Sequence, residues 1–455
     1  MSHAAILAAR EQRASDKKQL LTQWRVVVSL SFNVPGLPKS TPLIRAAFAN
    51  VAQILDHFFC AHRCGLLLQS TIGDAAGDHA LWAGNSSWDD TALKALTERF
   101  EGEHPLGRLL DVDVYTATGP IHSGKRKPCL ICEQPALVCM RSQRHSLTEL
   151  RRACDHTLSR WWAEQRYTDI ARCLSRHMTH ALLQEVLLTP KPGLVDQQDN
   201  GSHNDMDLPL FISAVSALAP FWEQVAHQGI RFDGQHWQAA LISLRQLGLQ
   251  MEAAMREATC GTNTHKGAIF VGCFAVFAVA HAWHNCSLPT HDDYRRIIRA
   301  LGQDIIDRDL ASLDEAASYG QRLLHTYKEA DVGGPRYQVE HGLPAVFEIG
   351  LPALQHALAQ GLSHKQSQLY SLFTLMGRVL DTNVLHRSSL ETTRHFMALA
   401  QQAIINLPIH AGDIAALQNF CQQHWVSPGG CADLLAMTLF FHAVDTEIAF
   451  DDPSQ

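Results

Sequence analysis

A polar loop rich in carboxylates separates two apolar helical patterns near residue 200. It spans 185–211 and reads EVLLTPKPGLVDQQDNGSHNDMDLPLF. Its candidates for metal binding or base catalysis are Glu185, Asp196, Asp205 and Asp207. Grouped carboxylates repel one another, and burying one is costly unless a cation or a metal ion pairs with it. The grouping indicates a Mg²⁺ site, although a solvated turn held by Asx hydrogen bonds has the same composition.

A second acidic pair, Asp111 and Asp113, lies in the alternating stretch LGRLLDVDVYTATG. Alternation predicts a strand, which places both carboxylates on one face, about 7 Å apart. Enzymes of nucleotidyl transfer use such a pair to hold Mg²⁺ against a leaving pyrophosphate. Arg108 is near enough in sequence to bind the polyphosphate with its planar guanidinium group. The alternative is a solvated strand face.

Cys129 and Cys132 form a Cys-x2-Cys pair, and Cys139 and His145 follow it. Thiolates and an imidazole at this spacing can hold a structural zinc ion. Buried free cysteines are common, however, and they are the alternative interpretation.

Two more polar segments fall at predicted helix starts, GTNTHKG at 261–267 and SPGG at 427–430. We interpret Asn263 and Ser427 as their N-cap residues. Free backbone N–H groups and the helix dipole favour phosphate at such positions. Each segment could be a plain cap, but together with the TPKPG turn and Asp381-Thr382-Asn383 they favour one shared polyphosphate site. The phosphate-binding candidates are Lys191, Gly193, Asn263, Thr264, His265, Lys266, Gly267, Arg336, Ser427, Gly429 and Gly430.

Composition limits the classes of protein to which the chain can belong. Its 455 residues leave material for two cores. A net charge of −7 argues against a general nucleic-acid binder. Twelve cysteines over this length are too few for a disulfide framework, and without a secretory signal they predict a cytoplasmic protein. The apolar segment 267–283 ends in histidines, which favours a buried core helix over a membrane span.

The periodicities predict an α+β N-terminal domain followed by a larger all-α helical domain. Predicted strands fall at 24–36, at CGLLLQSTIG and at 106–119, and predicted helices at 41–60 and 89–101. From about residue 146 the pattern is helical only. We place the boundary between residues 160 and 167 and define the domains as 1–162 and 163–455. Breaks between the later helices are predicted at 190–207, 261–266, 331–342, 381–389 and 425–430.

These motifs together resemble two known families. TPKPGLVD with NGSHNDMD, GTNTHKGAIF, LMGRVLDTNVLHR and SPGGCADLLA resemble the triphosphoribosyl-dephospho-CoA synthases over about 166–450. SFNVPGLPKS, EHPLGRLLDVDV and CLICEQPALVCMRSQRHS resemble the holo-citrate lyase synthases, or phosphoribosyl-dephospho-CoA transferases, over 24–160. The whole chain is similar to the bifunctional fusion that assembles the citrate lyase prosthetic group.

The resemblance implies a reaction for each half. The helical half would join ATP to 3′-dephospho-CoA and release adenine. The first half would transfer the product to a serine of the apo acyl carrier protein, the gamma subunit of citrate lyase, and release diphosphate. ATP as substrate and Mg²⁺ as cofactor are expected, with no nucleic acid and no membrane as partners. The resemblance also identifies Asp111 and Asp113 as the acidic motif of the holo-citrate lyase synthase family.

One motif departs from the synthase pattern. At 336–339 the chain reads RYQV where that family has arginine, glycine, glutamate and alanine, so Gln338 replaces a carboxylate. Two alternatives therefore stay open. In one, only the first half is active and the helical half is a cofactor-binding module. In the other, the helical half is an all-α, Mg²⁺-dependent hydrolase of the ribose N-glycosidic bond.

Overall fold

The computed structural model describes residues 3–451, apart from residues 125, 287, 312–333 and 406. The chain divides into two compact units, Met1–Arg166 and Tyr167–Gln455. This division falls a few residues after the boundary predicted at 162 and 163. One long helix, α5 (Leu147–Leu187), contains it.

The first unit is α+β and is built on one antiparallel sheet of five strands in the order β2-β3-β1-β4-β5. Its elements are α1 (His3–Leu20), β1 (Val26–Phe32), α2 (Pro42–Ala61), β2 (Leu67–Asp74), β3 (Gly77–Gly84), α3 (Asp90–Glu103), β4 (Leu110–Thr116), β5 (Gly119–Pro120) and α4 (Ala136–Arg141). The predicted strands correspond to β1, β2 and β4. The sequence analysis missed β3, because all eight of its residues are buried and no alternation marks it.

Strand β4 carries the acidic pair on one face. Its residues alternate between fully buried and partly exposed, with Asp111 and Asp113 in the partly exposed set. They lie opposite Ser31 and Ser29 of the neighbouring strand β1. The other face packs into the core with Val112 and the apolar residues of α2 and α3. The prediction of one shared carboxylate face is therefore confirmed.

Helices are the regular secondary structure of the second unit in the residues that the structure describes. Its helices after α5 are α6 (Leu208–Arg231), α7 (Trp237–Ala258), α8 (Lys266–Asn285), α9 (His291–Leu301), α10 (Ile305–Ala311), α11 (Gly334–Glu340), the π-helix Ala345–Gly350, α12 (Leu351–Ala359), α13 (His364–Arg378), α14 (Thr382–Arg387), α15 (Leu390–Ala403), α16 (Ala411–His424) and α17 (Gly429–Asp451). Short helices α11 and α14 occupy two of the predicted breaks, so those segments are not irregular throughout. Part of the break predicted at 331–342 lies outside the described residues.

Helix α8 contains the apolar segment that raised the question of a membrane span. Two helices, α6 and α8, are long and apolar enough to cross a membrane by length and composition alone. In α8, 72% of the most apolar window is buried inside the protein, against 28% in α6. Burial on this scale is the environment of a core helix, and α8 contributes residues along its whole length to the main hydrophobic core.

Two helical glycines give a matched test of packing in this unit. A Cβ at Gly229 of α6 would lie 2.4 Å from the backbone oxygen of Phe277 in α8, whereas a Cβ at Gly248 of α7 would meet nothing within 4 Å. We expect Gly229→Ala to lower the free energy of unfolding by about 1–3 kcal/mol through overpacking. Gly248→Ala should raise it by about 0.5–1 kcal/mol through helix propensity. Urea denaturation measures both, and equal effects of the two substitutions would contradict the close approach of α6 and α8.

Candidate functional site

The helical unit contains a cavity of about 630 Å³ at the ends of several helices. It brings together most of the phosphate-binding candidates of the sequence analysis. The predicted site residues that line it are Glu185, Lys191, Asn263, Thr264, His265, Lys266, Gly267, Arg336, Ser427, Gly429 and Gly430. Asp381, Asn383, Arg387 and Asp433 line it as well. The loops between the helices therefore converge on one cavity.

A buried ion pair forms one wall of the cavity. Lys191 is 3% exposed and Glu185 is 5% exposed. The Lys191 Nζ atom lies 2.6 Å from Glu185 Oε1 and donates a second hydrogen bond to the Glu185 backbone oxygen at 2.7 Å. The Lys191 backbone N–H donates to Asp196 Oδ2 at 2.8 Å. Hydrogen bonds from both the side chain and the backbone of Lys191 therefore hold the proline-rich turn after α5 in place.

The carboxylate of Asp433 lies against the first turn of α8. A Cβ at Gly267 would lie 2.0 Å from Asp433 Oδ2, so a larger residue at this position would displace the carboxyl group. Burial raises the pKa of Asp433 well above its ordinary value, and the nearby charges of Glu185 and Asp381 raise it further. Asp433 was not among the predicted site residues, although the SPGGCADLLA motif contains it.

Asp381 connects two helix starts at the same cavity. It is 2% exposed. Its Oδ1 accepts the backbone N–H of Asn383 at 2.8 Å, and its Oδ2 accepts the backbone N–H of Cys431 at 2.8 Å. Burial raises the pKa of Asp381, and these hydrogen bonds offset part of the increase. A single carboxylate therefore caps α14 and also holds the first turn of α17.

Four cationic side chains line the cavity. Lys191 is paired with Glu185, and the other three also have a polar neighbour. Lys266 lies 3.4 Å from Glu252, and Arg336 lies 2.6 Å from Asp309. Arg387 donates to the backbone oxygen of Ser202 at 2.8 Å. Helices α8 and α17 both begin at this cavity. Cationic side chains and the positive ends of two long helices suit an anion with several charges.

Both N-cap predictions need correction. The N-cap residue of α8 is His265, with no side-chain cap bond, and Asn263 Oδ1 accepts the backbone N–H of Lys266 at 3.1 Å from two residues further back. Ser427 lies before the start of α17 at Gly429, and its hydroxyl is 2.8 Å from His203 Nε2. Asn263 therefore still bonds to the first backbone N–H of α8, whereas Ser427 bonds to a histidine of the acidic loop.

Two neutral histidines also line the cavity. His265 is 3% exposed and has Thr264 Oγ1 at 3.0 Å from its Nδ1. Its Nε2 has no hydrogen-bond partner among the described residues. Burial lowers the pKa of His265 to about 3, and Lys191 adds to the effect. Burial and Arg387 lower the pKa of His203 to about 4. Neither imidazole carries a charge at neutral pH.

The acidic loop differs from its prediction as a cluster of metal ligands. Asp196 accepts backbone N–H groups with both of its carboxylate oxygens, and Asp207 caps α6 by accepting from Leu210 at 3.0 Å. Asp205 has 68% of its side chain exposed and is 3.9 Å from His203 Nδ1. These three carboxylates do not line the cavity. They stabilise the loop or face solvent because short Asp side chains bond to nearby backbone amides.

Gly193 also lies outside the cavity wall, although it was a phosphate-binding candidate. Its φ is 74°, and a Cβ would lie 2.7 Å from the backbone oxygen of Val426. The glycine is needed for this turn and close approach, which requires no contact with phosphate.

The α+β unit has a cavity of its own, of about 760 Å³, beside the exposed face of β4. Arg108, Asp111 and Asp113 line it together with three lysines, Lys17, Lys39 and Lys127. Lys127 Nζ lies 2.7 Å from Asp111 Oδ1 and 3.0 Å from Glu101 Oε1. Although burial lowers it, these two carboxylates raise the pKa of Lys127 above its ordinary value. Lys39 also lines this cavity.

Further cations surround this acidic pair. The lining basic residues are Arg10, Arg13, Lys17, Lys39, Arg108 and Lys127. Arg108 donates to the backbone oxygen of Cys129 at 3.0 Å and to Glu133 at 2.7 Å. Sequence reasoning identified Arg108 alone, because α1 and the loop after β1 are far from β4 in the chain. Two acidic and six basic side chains at one cavity suit a polyphosphate with a divalent cation.

The predicted thiol and imidazole group also comes together at this cavity. Cys129, Cys132, Cys139 and His145 place one donor atom each within 4.8 Å of one another. All four cysteine and histidine candidates for zinc are thus neighbours in space as well as in sequence.

Family models match the two units separately. Residues 171–451 match the CitG family, described as ATP:dephospho-CoA triphosphoribosyl transferase. Residues 1–161 match the CitX family, described as apo-citrate lyase phosphoribosyl-dephospho-CoA transferase.

Similar proteins include matches over the whole chain and over its helical part. Protein CitXG of Haemophilus influenzae is 30% identical over 97% of this chain and 96% of its own length. Protein CitXG of Leuconostoc mesenteroides subsp. cremoris is 28% identical, over 96% and 95%. A probable 2-(5''-triphosphoribosyl)-3'-dephosphocoenzyme-A synthase of Pectobacterium carotovorum is 33% identical over 62% of this chain and 92% of its own length.

The raised pKa of Asp433 gives a pH-dependent prediction. As pH rises above the ordinary carboxyl value, the unfolded chain releases this proton while the folded chain keeps it, so stability falls until the raised pKa is reached. Asp433→Asn removes this loss. We expect the variant to gain stability over the parent as pH rises above about 4, with a slope approaching 1.4 kcal/mol per pH unit until the raised pKa of Asp433 is reached.

Urea denaturation in a metal-free buffer measures this difference, and Asp205→Asn, which replaces an exposed carboxylate, is the control. Parallel stability curves for the parent and Asp433→Asn would contradict the raised pKa.

Proposed function

Because the chain belongs to the family of fused CitXG proteins, we propose that it both makes the prosthetic group of citrate lyase and attaches it. Family membership makes it a transferase of citrate lyase prosthetic-group biosynthesis. In our proposal the helical unit joins ATP to 3′-dephospho-CoA and releases adenine. The α+β unit transfers the product to a serine of the apo acyl carrier protein and releases diphosphate.

The first reaction replaces one bond at a sugar carbon. The 2′-hydroxyl oxygen of dephospho-CoA forms a bond to C1′ of the ATP ribose, and the bond from C1′ to adenine breaks. The hydroxyl proton goes to a base, and the departing adenine takes up a proton. Displacement at this carbon passes through an oxocarbenium-like state. The site needs cations for the triphosphate and a group that exchanges a proton near neutral pH.

The observation that carries this proposal is the convergence of helix starts and cations on one cavity. Helices α8 and α17 begin there beside Lys191, Lys266, Arg336 and Arg387. This arrangement supports binding of a triphosphate, because backbone N–H groups and cations both neutralise phosphate oxygens.

Asp433 is the carboxyl group that we propose for proton transfer. Its pKa is raised well above the ordinary value, which moves its titration toward neutral pH. His265 stays neutral, and its buried Nε2 is free to hydrogen bond with a bound substrate. Glu185 is paired with Lys191 and orients that lysine.

The donor set at the cavity fits Mg²⁺ held jointly by protein and substrate. No group of three carboxylates within 4.8 Å is found among the described residues of this cavity. Mg²⁺ is usually bound through one or two carboxylates together with substrate phosphates. Glu185 is the residue that would hold it together with the substrate phosphates, and the ion would neutralise the phosphate charge. Asp196, Asp205 and Asp207 have no place in this proposal.

In the α+β unit, the proposed reaction forms a bond from the carrier serine oxygen to the phosphorus nearest the ribose. The bond from that phosphorus to the diphosphate breaks. Asp111 and Asp113 would hold Mg²⁺, and Arg108 and Lys127 would bind the polyphosphate. Positioning and charge neutralisation supply most of the catalysis in such transfers.

The Gln338 departure is compatible with an active synthase. Gln338 lines the cavity, and its Oε1 accepts the backbone N–H of Ala345 at 3.0 Å. This contact needs only an acceptor oxygen, which an amide and a carboxylate both have. The missing charge nevertheless supports a second candidate function, in which the helical unit binds the cofactor without making it.

Adenine release tests the proposed function directly. We expect the chain with ATP, Mg²⁺ and dephospho-CoA to release adenine, measured by chromatography. Adenine release that does not need dephospho-CoA would indicate a hydrolase, and no release would indicate a binding module.

Gly267→Ala should lower the rate of adenine release at least about a hundredfold, because the new Cβ displaces Asp433.

Gly412→Ala is the matched control for that variant. Gly412 is also the second residue of a helix, α16, and a Cβ there meets nothing within 4 Å. Equal rates for both variants and the parent would remove Asp433 from the proposed mechanism.

The two units should be separable by substitution. We expect Asp111→Asn or Asp113→Asn to lower transfer to the carrier protein by at least about a hundredfold while adenine release continues at the parent rate. Radiolabelled triphosphoribosyl-dephospho-CoA and purified apo carrier protein measure the transfer. Loss of both activities from either substitution would contradict two separate sites.

A further inference from the structure

In the segment 127–146 of the α+β unit, Cys129 and Cys139 are buried, whereas most of the large apolar side chains are exposed. Cys129 and Cys139 are 2% and 5% exposed, whereas Ile131, Leu137 and Met140 are 41%, 55% and 67% exposed. An ordinary core has the reverse arrangement. Hydrophobic burial therefore contributes little to holding this segment, and small segments without a core usually need a disulfide or a metal ion.

The thiols meet one another and one imidazole. Cys132 Sγ lies 3.4 Å from Cys139 Sγ and 3.3 Å from His145 Nε2. The donor atoms of these residues and Cys129 all lie within 4.8 Å of one another. Zinc binds sulfur at about 2.3 Å in a tetrahedron, which separates its ligand atoms by about 3.5–4 Å. The four donor atoms therefore surround a space of the size that one zinc ion needs.

The backbone around the first two cysteines is already folded into a tight turn. An antiparallel bridge joins Pro128 to Pro135 on either side of the Cys-x2-Cys pair. The Cys129 backbone N–H donates to the Gln134 oxygen at 2.8 Å, and the Ala136 N–H donates to the Lys127 oxygen at 2.9 Å. These bonds hold the two cysteines of the pair on one short turn.

We propose that Cys129, Cys132, Cys139 and His145 bind one structural zinc ion. Four protein ligands complete the tetrahedron and leave no position for water or substrate, so the ion holds the fold and takes no part in a reaction. The ligands come from the tight turn, from helix α4 and from the chain just before α5. The ion cross-links these three elements in place of a hydrophobic core.

The zinc ion would also fix the positions of two cations, Lys127 and Arg108, that line the neighbouring cavity. Lys127 lies two residues before Cys129 and contacts Asp111 at 2.7 Å. Arg108 donates to the backbone oxygen of Cys129 at 3.0 Å. Both cations are therefore tied to the position of one ligand residue.

A second group of possible donors lies in the helical unit and serves as a control. It consists of Cys173, His177 and Glu447. It offers three donors instead of four, and the Arg176 guanidinium lies 3.7 Å from Cys173 Sγ and 3.5 Å from Glu447 Oε1. A cation at that point disfavours a metal ion, so we assign zinc to the first group alone.

Zinc analysis of the full chain, purified under reducing conditions without chelator, tests the proposal. We expect about one zinc per chain for the parent and for Cys173→Ser. Cys132→Ser should lower the zinc content at least about fivefold, because a three-ligand shell binds zinc more weakly. His145→Cys should keep the zinc, since sulfur replaces nitrogen in a four-ligand shell.

Limited trypsin digestion gives a readout that does not depend on enzyme activity. Arg141 and Arg144 lie in the proposed cross-linked segment. We expect a zinc chelator to increase cleavage there at least about tenfold, and added zinc to restore protection. The chelation experiment uses the parent chain, so it applies even if Cys132→Ser does not fold.

Three results would overturn the proposal. One is a reduced parent chain that contains no zinc and retains none when zinc is supplied. Another is loss of zinc from Cys173→Ser while Cys132→Ser keeps it. The last is a disulfide between Cys132 and Cys139 in the purified chain, detected by mass spectrometry, which would make the pair a redox site.

Discussion

The buried ion pair between Lys191 and Glu185 is the interaction on which the cavity of the helical unit depends. It ties the proline-rich turn to the end of α5 at a point where both side chains are almost fully buried. Removing either partner would leave an uncompensated buried charge, which costs several kcal/mol. The turn is therefore fixed in position, and Asp196 fixes its backbone from the other side. The remaining cavity residues are arranged around this rigid wall.

Buried carboxylates in a cavity that suits polyphosphate raise an electrostatic question. Asp381 and Asp433 both have raised pKa values, so folding favours their uncharged forms. An uncharged carboxyl group does not repel an entering phosphate, and a divalent cation arriving with it would favour ionisation. The close contact of Asp433 with Gly267 keeps this carboxyl group at the positive end of α8. Binding of phosphate with a divalent cation would therefore change the ionisation of these two carboxyl groups.

The α+β unit handles the same charges in another way. Its carboxylates lie on a strand face and are paired with lysines, Asp111 with Lys127 and Asp113 with Lys94 at 3.6 Å. Basic side chains from α1 and from the loops after β1 and β5 supply the positive charge at that cavity. Helix ends place backbone dipoles rigidly, whereas lysine and arginine side chains can rearrange when a metal ion or phosphate arrives.

The sequence by itself determined the α+β and helical halves, the shared face of Asp111 and Asp113, and the loops that carry the motifs. These follow from local periodicity and from glycine and proline positions, which act over a few residues. Only the tertiary structure decided which polar side chains meet. In the folded chain Asp196 and Asp207 accept backbone amides, Asp205 is exposed, and Asp433 lines the cavity. The tertiary structure also revealed β3 and Lys127. Competition among nearby hydrogen-bond partners and contacts between distant helices set these positions, and neither leaves a local pattern in the sequence.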